Sequence, residues 1–538
     1  MDTLTPPCTD VTADELIAAI RTSPRGPRVG AFFDFDGTLV QGYTADALFH
    51  DQIRRGHLCG LHLARCVLAA GHSLLSGDPH RLGRAGFPAL RGRTVASVTL
   101  EAQQLFASRI AGQIRPEVRD IVRAHRRQGH TVVVASAATR LQIEPAANDL
   151  GIAHLLCTEL EDDDGVLTGR SPTGMLWGDP KAAAIRRFSR ESGIDLRRSF
   201  AYGNGREDIA FLSAVGRPYA TNPHPMLRRA AQDNAWSVLA LREPPSAGLG
   251  AALGTIGALI GVNGALGAGV TYGWLTGDRR RGSNLGIGLA ADLGLALAGV
   301  RLRVTGAENL ETARPAVFVA NHQSTLDVLV LGALLRHDFT AVAKQEARLD
   351  PRMLMISAFL EPAWIDRSDI RSARRTLDQA AQRIRAGTSV LVLPEGTRMP
   401  TPTLGRFKKG AFHLAMQAGV PIVPIVLRNT GELAWRRSLA VTPGTVDVVV
   451  LDPIETTGWT AAQLGERVAE LRGRFADTLE NWPEGGAGRH VPAAPPAVRD
   501  GAGTTGARPR RRDACYAGAA PTPASHARRR RGSATALR

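Results

Sequence analysis

The sequence predicts an α/β protein of two domains, separated by a hydrophobic helical pair and followed by a disordered basic tail. At 538 residues the chain exceeds the usual size of one core. Strand-like apolar runs alternate with helical patterns on both sides of an uncharged stretch, with different motifs on each side and no internal repeat. From Glu484 onward, Pro, Ala, Gly and Arg replace any core-forming pattern. The expected order is an N-terminal extension 1–27, a first domain 28–225, a linker and hydrophobic segment 226–300, a second domain 301–483 and the tail 484–538.

The formal net charge is +16, and the tail holds eleven Arg against three acidic residues, so +8 sits there. Its runs, Arg510 to Arg512 and Arg528 to Arg531, suit an anionic membrane surface as well as nucleic acid, and no specific nucleic-acid partner is expected. Five cysteines (Cys8, Cys59, Cys66, Cys157, Cys515) are scattered without metal-ligand spacing, which points to a reduced compartment. The N-terminus "MDTLTPPCTDVTADEL" has no basic start and no apolar core, so no secretory signal is expected there.

No charge falls between Glu243 and Asp278, and the apolar run there exceeds the roughly 20 residues that cross a bilayer. A second run, 282–300, follows Arg279, Arg280 and Arg281 and carries Asp292, which argues against a simple second span. Both are rich in Gly, which weakens a helix in water and lets helices approach closely in lipid. The expectation is a helical pair that dips into or crosses the membrane with the Arg cluster cytoplasmic.

In the first domain, "VGAFFDFDGTLV" is a buried-strand pattern that ends in two acids. Period-two geometry points Asp34 and Asp36 the same way, and close carboxylates repel unless a cation such as Mg²⁺ or a proton separates them. The helical pattern "RPEVRDIVRAHRRQG" leads to "TVVVASAAT", a strand with Ser136 toward its carboxyl end, where α/β sheets bind ligands. Lys181 follows in "GDPKAAAI", then "FAYGNGREDIAFL", a strand that opens onto a loop with Asp208. Singly, a strand-end Ser or a lone Lys is ordinarily structural. Together they supply a nucleophile, two groups for phosphate and acids for a metal.

These residues resemble the haloacid dehalogenase-like phosphatases of the phosphoserine phosphatase type, subfamily IB, over roughly residues 28–225. The resemblance implies a Rossmann-like core with a helical cap at about 43–110. Asp34 would attack phosphorus, Asp36 would act as acid and then base, and Ser136 and Lys181 would hold phosphoryl oxygens. Mg²⁺ would bind Asp34, the Asp36 carbonyl and the last loop with Asn204 and Asp208. That loop usually begins Gly-Asp; here Gly203-Asn204 stands in its place, which removes a charge and should weaken the metal site.

In the second domain, "VFVANHQSTLDVLV" places His322 five residues before Asp327. Ser324 and Asp327 read as a capping box, so a helix N-terminus alone would explain Asp327. On a continuous helix the two side chains would lie roughly 140° apart, so they meet only if His322 sits on the preceding turn, where a carboxylate partner makes it a general base. "EPAWIDRSDI" puts Arg367 before a helix, and "TSVLVLPEGTR" is a strand that ends in Glu395, Gly396, Thr397 and Arg398. Arg367 and Arg398 form a candidate phosphate grip.

The blocks "NHQSTLD", "EPAWIDR", "EGTR" and "VPIVPIV", in this order over about 300–480, resemble the lysophosphatidate and glycerol-3-phosphate acyltransferase family. The resemblance implies an α/β acyltransferase domain in which His322 deprotonates the acceptor hydroxyl and Asp327 orients it. Arg367, Glu395, Gly396, Thr397 and Arg398 would bind the acceptor phosphate, with no metal. The expected reaction carries an acyl group from acyl-CoA or acyl carrier protein to 1-acylglycerol 3-phosphate, at the cytoplasmic side of the cell membrane, beside a Mg²⁺-dependent phosphatase-like domain of reduced activity. A phosphatase-dominant enzyme acting on phosphoserine or a phosphorylated lipid precursor, and a catalytically idle membrane scaffold, are the alternatives. Glu361 stands where the family often has Gly, and a carboxylate beside a phosphate site would repel it.

Overall fold

A computed structural model describes residues 9–56, 60, 68, 87–242, 249–349, 359–366, 370–435, 438, 440–483 and 489–490. Much of the expected cap, Arg367 and nearly all of the expected tail lie outside the described residues.

The first domain is built on a seven-stranded sheet from β1 (Asp10–Val11), β2 (Gly30–Phe33), β3 (Thr131–Thr139), β4 (His154–Thr158), β7 (Phe200–Gly203), β8 (Arg217–Thr221) and β9 (Ser237–Leu239); β5 (Asp162–Asp163) and β6 (Val166–Leu167) form a separate hairpin. The order is β1-β9-β8-β7-β2-β3-β4 and every pairing is parallel. Strands covered on both faces need no polar side, so β2 is buried at all four positions. Chain order reverses at β2, which lies between β3 and β7, and the carboxyl end of such a strand is where a doubly wound sheet binds ligands. The sheet also draws in segments beyond 28–225: β1, β9 and the helix Ala13–Arg21, whose Leu16 and Ile20 are fully buried and whose start is fixed by the Thr12–Glu15 capping box.

A buried polar chain runs behind β2. Tyr202 Oη lies 2.7 Å from His125 Nε2, His125 Nδ1 lies 2.8 Å from His130 Nδ1, and His130 Nε2 lies 2.9 Å from the Pro24 carbonyl. One proton arrangement satisfies it: the Tyr202 hydroxyl donates to His125, His125 Nδ1–H to His130, and His130 Nε2–H to Pro24. Both imidazoles are therefore neutral, and burial holds both below the ordinary histidine range.

The helices Leu249–Thr276 and Arg279–Leu297 form the expected pair. Glycines set their closeness: a Cβ at Gly269 would come 2.6 Å from the backbone of Gly282 and Gly286, and one at Gly282 would come 2.6 Å from the Gly269 carbonyl. Residues Gly250–Thr276 are long and apolar enough to cross a membrane, with mean hydropathy 1.5. Their outer face leaves Ile260, Trp274 and Leu275 exposed. The second helix packs on the following domain, and its Asp292 is neutralised by Arg336 at 2.8 Å.

The second domain carries an eight-stranded sheet from β10 (Val300–Thr305), β11 (Val317–Ala320), β12 (Phe339–Lys344), β13 (Ala363–Ile365), β14 (Ser389–Val392), β15 (Ile422–Leu427), β16 (Gly444–Val450) and β17 (Arg489–His490), in the order β13-β12-β14-β11-β15-β16-β10-β17. Only β15 with β16 and β10 with β17 pair antiparallel among the described residues. β11 lies between β14 and β15, so the "NHQSTLD" turn emerges beside "EGTR" and "VPIVPIV". One face packs on the Arg279–Leu297 helix through Ala291 and Leu295, the other on the helices Ile370–Arg385, Gly410–Ala418 and Leu464–Glu480. The two domains touch where Arg127 reaches the Glu480 carbonyl and Thr403 Oγ1 donates to Asp149 Oδ1 at 2.8 Å.

A histidine held below its unfolded value binds protons better unfolded, so its stabilisation is complete above a pH of about 6.5 and is lost as pH falls below it. Thermal unfolding should therefore shift downward between pH 7.5 and pH 5, by less in His130→Gln. A wild-type midpoint flat across that window would contradict the neutral chain.

Candidate active sites

The second-domain site starts at the end of β11. Asn321 locks the strand end to β15, donating to the Leu427 carbonyl at 2.8 Å and accepting from its N–H at 2.7 Å. His322 follows on the turn, and the helix begins only at Leu326. The turn allows what a continuous helix would not: His322 Nδ1 lies 2.7 Å from Asp327 Oδ2. The same oxygen accepts the N–H groups of Gln323 and Ser324 at 2.8 and 3.0 Å. Asp327 thus caps the helix start and holds the imidazole at once. A buried carboxylate with three donors on one oxygen fixes the hydrogen on Nδ1 and leaves Nε2 with a free lone pair. Asp327 is fully buried, and its Oδ1 has no hydrogen-bond partner among the described residues.

His322 lines a largely apolar cavity of about 340 Å³, with Thr325, Gly396, Thr397 and Arg398 at the same site. Its wall is contributed by Val262 and Leu266 of the first hydrophobic helix, Ile287 and Ala291 of the second, and Leu329 and Phe339 of the domain. Gly396, at φ +73°, makes the turn that brings Thr397 and Arg398 to this face. Nothing in the sequence beyond the apolar run pointed to the helical pair as part of the cavity.

Glu395 differs from its sequence expectation. It is buried and accepts the His322 backbone N–H at 3.2 Å, so it braces the turn instead of facing the cavity. Burial pushes its carboxyl up to about 7, against the His322 and Gly405 backbone hydrogen bonds. Arg367 lies outside the described residues. Glu361 points away from the cavity: it ion-pairs with Arg279 at 2.8 Å, and only its neighbours Leu360 and Pro362 line the wall. Its φ of +42° explains why glycine suits the position.

The first-domain site sits at the carboxyl end of β2. Lys181 Nζ, buried, lies 2.6 Å from Asp34 Oδ1 and 2.7 Å from Asp208 Oδ1. Asp208 Oδ2 accepts the Asn204 and Gly205 N–H groups at 3.0 and 3.1 Å. Burial raises the Asp34 carboxyl and Lys181 opposes it; burial alone would lower Lys181, but Asp208 and Asp34 override it and hold the ammonium charged. Asp36 accepts the Thr44 N–H at 2.7 Å, and burial pushes it up to about 6. Ser136 lies inside β3 where the register slips, and its Oγ accepts the Ala138 N–H at 3.1 Å. The Asn204 amide presses on Gly37, where a Cβ would come 2.1 Å from Nδ2. As a place for Mg²⁺, this set offers hard oxygen donors in the Asp34 carboxylate, the Asp36 carbonyl and the Asn204 side chain. Asp208, beside them, also anchors Lys181 and the loop through hydrogen bonds to both of its oxygens.

Residues 31–213 match the haloacid dehalogenase-like hydrolase family and residues 301–428 the acyltransferase family. The chain thus carries a haloacid dehalogenase-like domain followed by an acyltransferase-family domain. The 1-acyl-sn-glycerol-3-phosphate acyltransferase of Saccharomyces cerevisiae is 36% identical over 187 residues, 34% of this chain and 61% of that protein. The chain thus spans about three fifths of the length of this relative. The inhibition of morphological differentiation protein of Streptomyces azureus is 32% identical over 227 residues, 40% of this chain and 80% of that protein. The solved 1-acyl-sn-glycerophosphate acyltransferase of Thermotoga maritima is 25% identical with a TM-score of 0.37, covering 42% of this chain and 95% of that chain.

Because Glu361 is strained and its ion pair is exposed, Glu361→Gly should leave the unfolding temperature unchanged or raise it by a few degrees. A fall of more than about 5 °C, roughly 1 kcal/mol or more, would mean that the Arg279 pair matters more than the strain.

Proposed function

We propose that the second domain moves an acyl group from a thioester to the hydroxyl of 1-acylglycerol 3-phosphate, giving phosphatidate. The observation that carries this is His322, oriented by buried Asp327, at the mouth of an apolar cavity beside Arg398. The free Nε2 takes the proton of the acceptor hydroxyl as its oxygen attacks the thioester carbonyl. The buried Asp327 carboxylate stabilises the imidazolium so formed. When the carbon–sulfur bond breaks, the imidazolium returns the proton to the departing thiolate. The cavity suits an acyl chain, and Arg398, with Arg367 by family resemblance, suits the acceptor phosphate. The donor is acyl-CoA or acyl carrier protein.

In this reading the site works at the cytoplasmic side of the cell membrane, and the exposed apolar face of Leu249–Thr276 supports contact with the lipid in which lysophosphatidate and product reside. The first domain acts as a phosphomonoester hydrolase: Asp34 attacks phosphorus, Asp36 serves the leaving oxygen as acid, and Lys181 and Ser136 hold the phosphoryl oxygens. Bound Mg²⁺, held by Asp34, the Asp36 carbonyl and Asn204, would supply charge neutralisation for the phosphate. With a neutral amide at 204 this hydrolysis is slow.

Detergent-purified protein should convert labelled acyl-CoA and 1-acylglycerol 3-phosphate to phosphatidate, and His322→Ala, folded by thermal melt, should lose at least about 10³-fold in rate. Transfer retained in His322→Ala would remove it as the base. Restoring the charge with Asn204→Asp should lower the Mg²⁺ concentration needed for half-maximal phosphatase activity about tenfold. An unchanged Mg²⁺ requirement would show that residue 204 does not limit the metal.

A further inference from the structure

We propose that Trp435 is a positioning residue through which the hydrolase domain holds the acyl-transfer site in register. The inference rests on the acyltransferase assignment and goes beyond it, because it gives the other domain a part in the reaction.

On one side, Trp435 reaches both arms of the acyltransferase site. Ser324 Oγ, inside the "NHQSTLD" turn, donates to the carbonyl of the adjacent Ala434 at 2.5 Å. The indole Nε1–H reaches the Pro400 carbonyl at 3.4 Å, two residues past Arg398, and Met399 N–H donates to the His322 carbonyl at 2.8 Å. A shift of the Ala434–Trp435 segment would therefore displace the Ser324 turn and the Arg398 arm relative to each other.

On the other side, the indole rests on Gly112 of the hydrolase domain, where a Cβ would lie 2.8 Å from two ring carbons. Only glycine allows that approach. The next residue, Gln113, accepts the Gln41 N–H at 2.9 Å, and Ile114 bridges to Val40. Val40 in turn accepts the Gly37 N–H at 2.7 Å, in the loop that carries Asp34 and Asp36. Residues 40–41 and 112–114 also flank the segment expected to form the cap. Direct contacts thus run from the nucleophile loop of one domain, through Gly112 and Trp435, to the base of the other.

The test is a double-mutant cycle read in acyl transfer by the full-length protein, with Gly112→Ala, Trp435→Ala and the double variant, and Trp435→Phe as the conservative change. Trp435→Ala should lower kcat about tenfold with KM for acyl-CoA unchanged, since misplacement of the catalytic turn acts on the chemical step. Gly112→Ala, one methyl in the other domain, should lower kcat about threefold or more, and Trp435→Phe, which keeps a ring on Gly112 but cannot donate to Pro400, should fall between the wild type and Trp435→Ala. The double variant should be no slower than Trp435→Ala alone, because the added methyl then meets no ring. Should Trp435→Ala fail to fold, Gly112→Ala against Gly112→Ala/Trp435→Phe gives the same comparison. Unchanged kcat in Gly112→Ala, or losses that simply multiply in the double variant, would overturn the coupling while leaving the acyltransferase assignment standing. A wild type that transfers no acyl group would overturn the assignment, and the inference with it.

Discussion

The acyltransferase site depends on one oxygen. Asp327 Oδ2 gathers the His322 imidazole and the N–H groups of Gln323 and Ser324, so one carboxylate folds the turn, starts the helix and sets the histidine tautomer. Its burial makes each of these bonds stronger than it would be in water and leaves Oδ1 without a partner among the described residues. The neighbouring supports converge on the same turn: Asn321 ties its start to β15, Glu395 holds the His322 N–H, and Met399 holds the His322 carbonyl. A histidine so braced at both backbone and ring keeps its geometry without help from a substrate.

The helical pair brings a second constraint, exchanged between packing and chemistry. Glycines at 269, 282 and 286 bring the two helices to near backbone contact, and the second helix is then thin enough to sit against the sheet and wall the cavity. Asp292, a liability in a membrane span, is answered by Arg336 at the domain surface. The first helix keeps an apolar outer face while its inner face joins the cavity, so under the proposed function membrane contact and acyl-chain accommodation would fall to the same element.

Much of this was legible in the sequence, for definable reasons. His322 with Asp327 and the segments that carry Asp34 and Asp208 are short motifs just past strand ends, where local spacing determines side-chain direction, and Lys181 was legible from the motif that opens its helix. The helical pair was legible from the missing charges. What was not legible depends on distant segments. Glu395 sits in a motif that resembles a phosphate site, but its carboxylate turns under His322 through contacts 73 residues apart. β1 is two residues long, too short for any periodicity to register, and it joins the sheet only through β9. Glu361 looked like a threat to substrate binding until its positive φ and its bond to Arg279 placed it elsewhere. That Asp208 also anchors Lys181 and the loop N–H groups with both oxygens is a contact its spacing alone did not reveal. The His125–His130–Tyr202 chain and the meeting of Trp435 with Gly112 join residues that no local pattern relates.

The central claim, that Asp327 makes His322 a base for acyl transfer, is tested most directly by the isosteric Asp327→Asn. An amide oxygen can still accept the turn N–H groups, so the fold should persist while the charge that stabilises the imidazolium is lost. The account predicts that kcat for transfer to 1-acylglycerol 3-phosphate falls about 10²-fold or more, with KM and unfolding temperature little changed. A kcat within about threefold of the wild type would contradict it and reduce Asp327 to a helix cap.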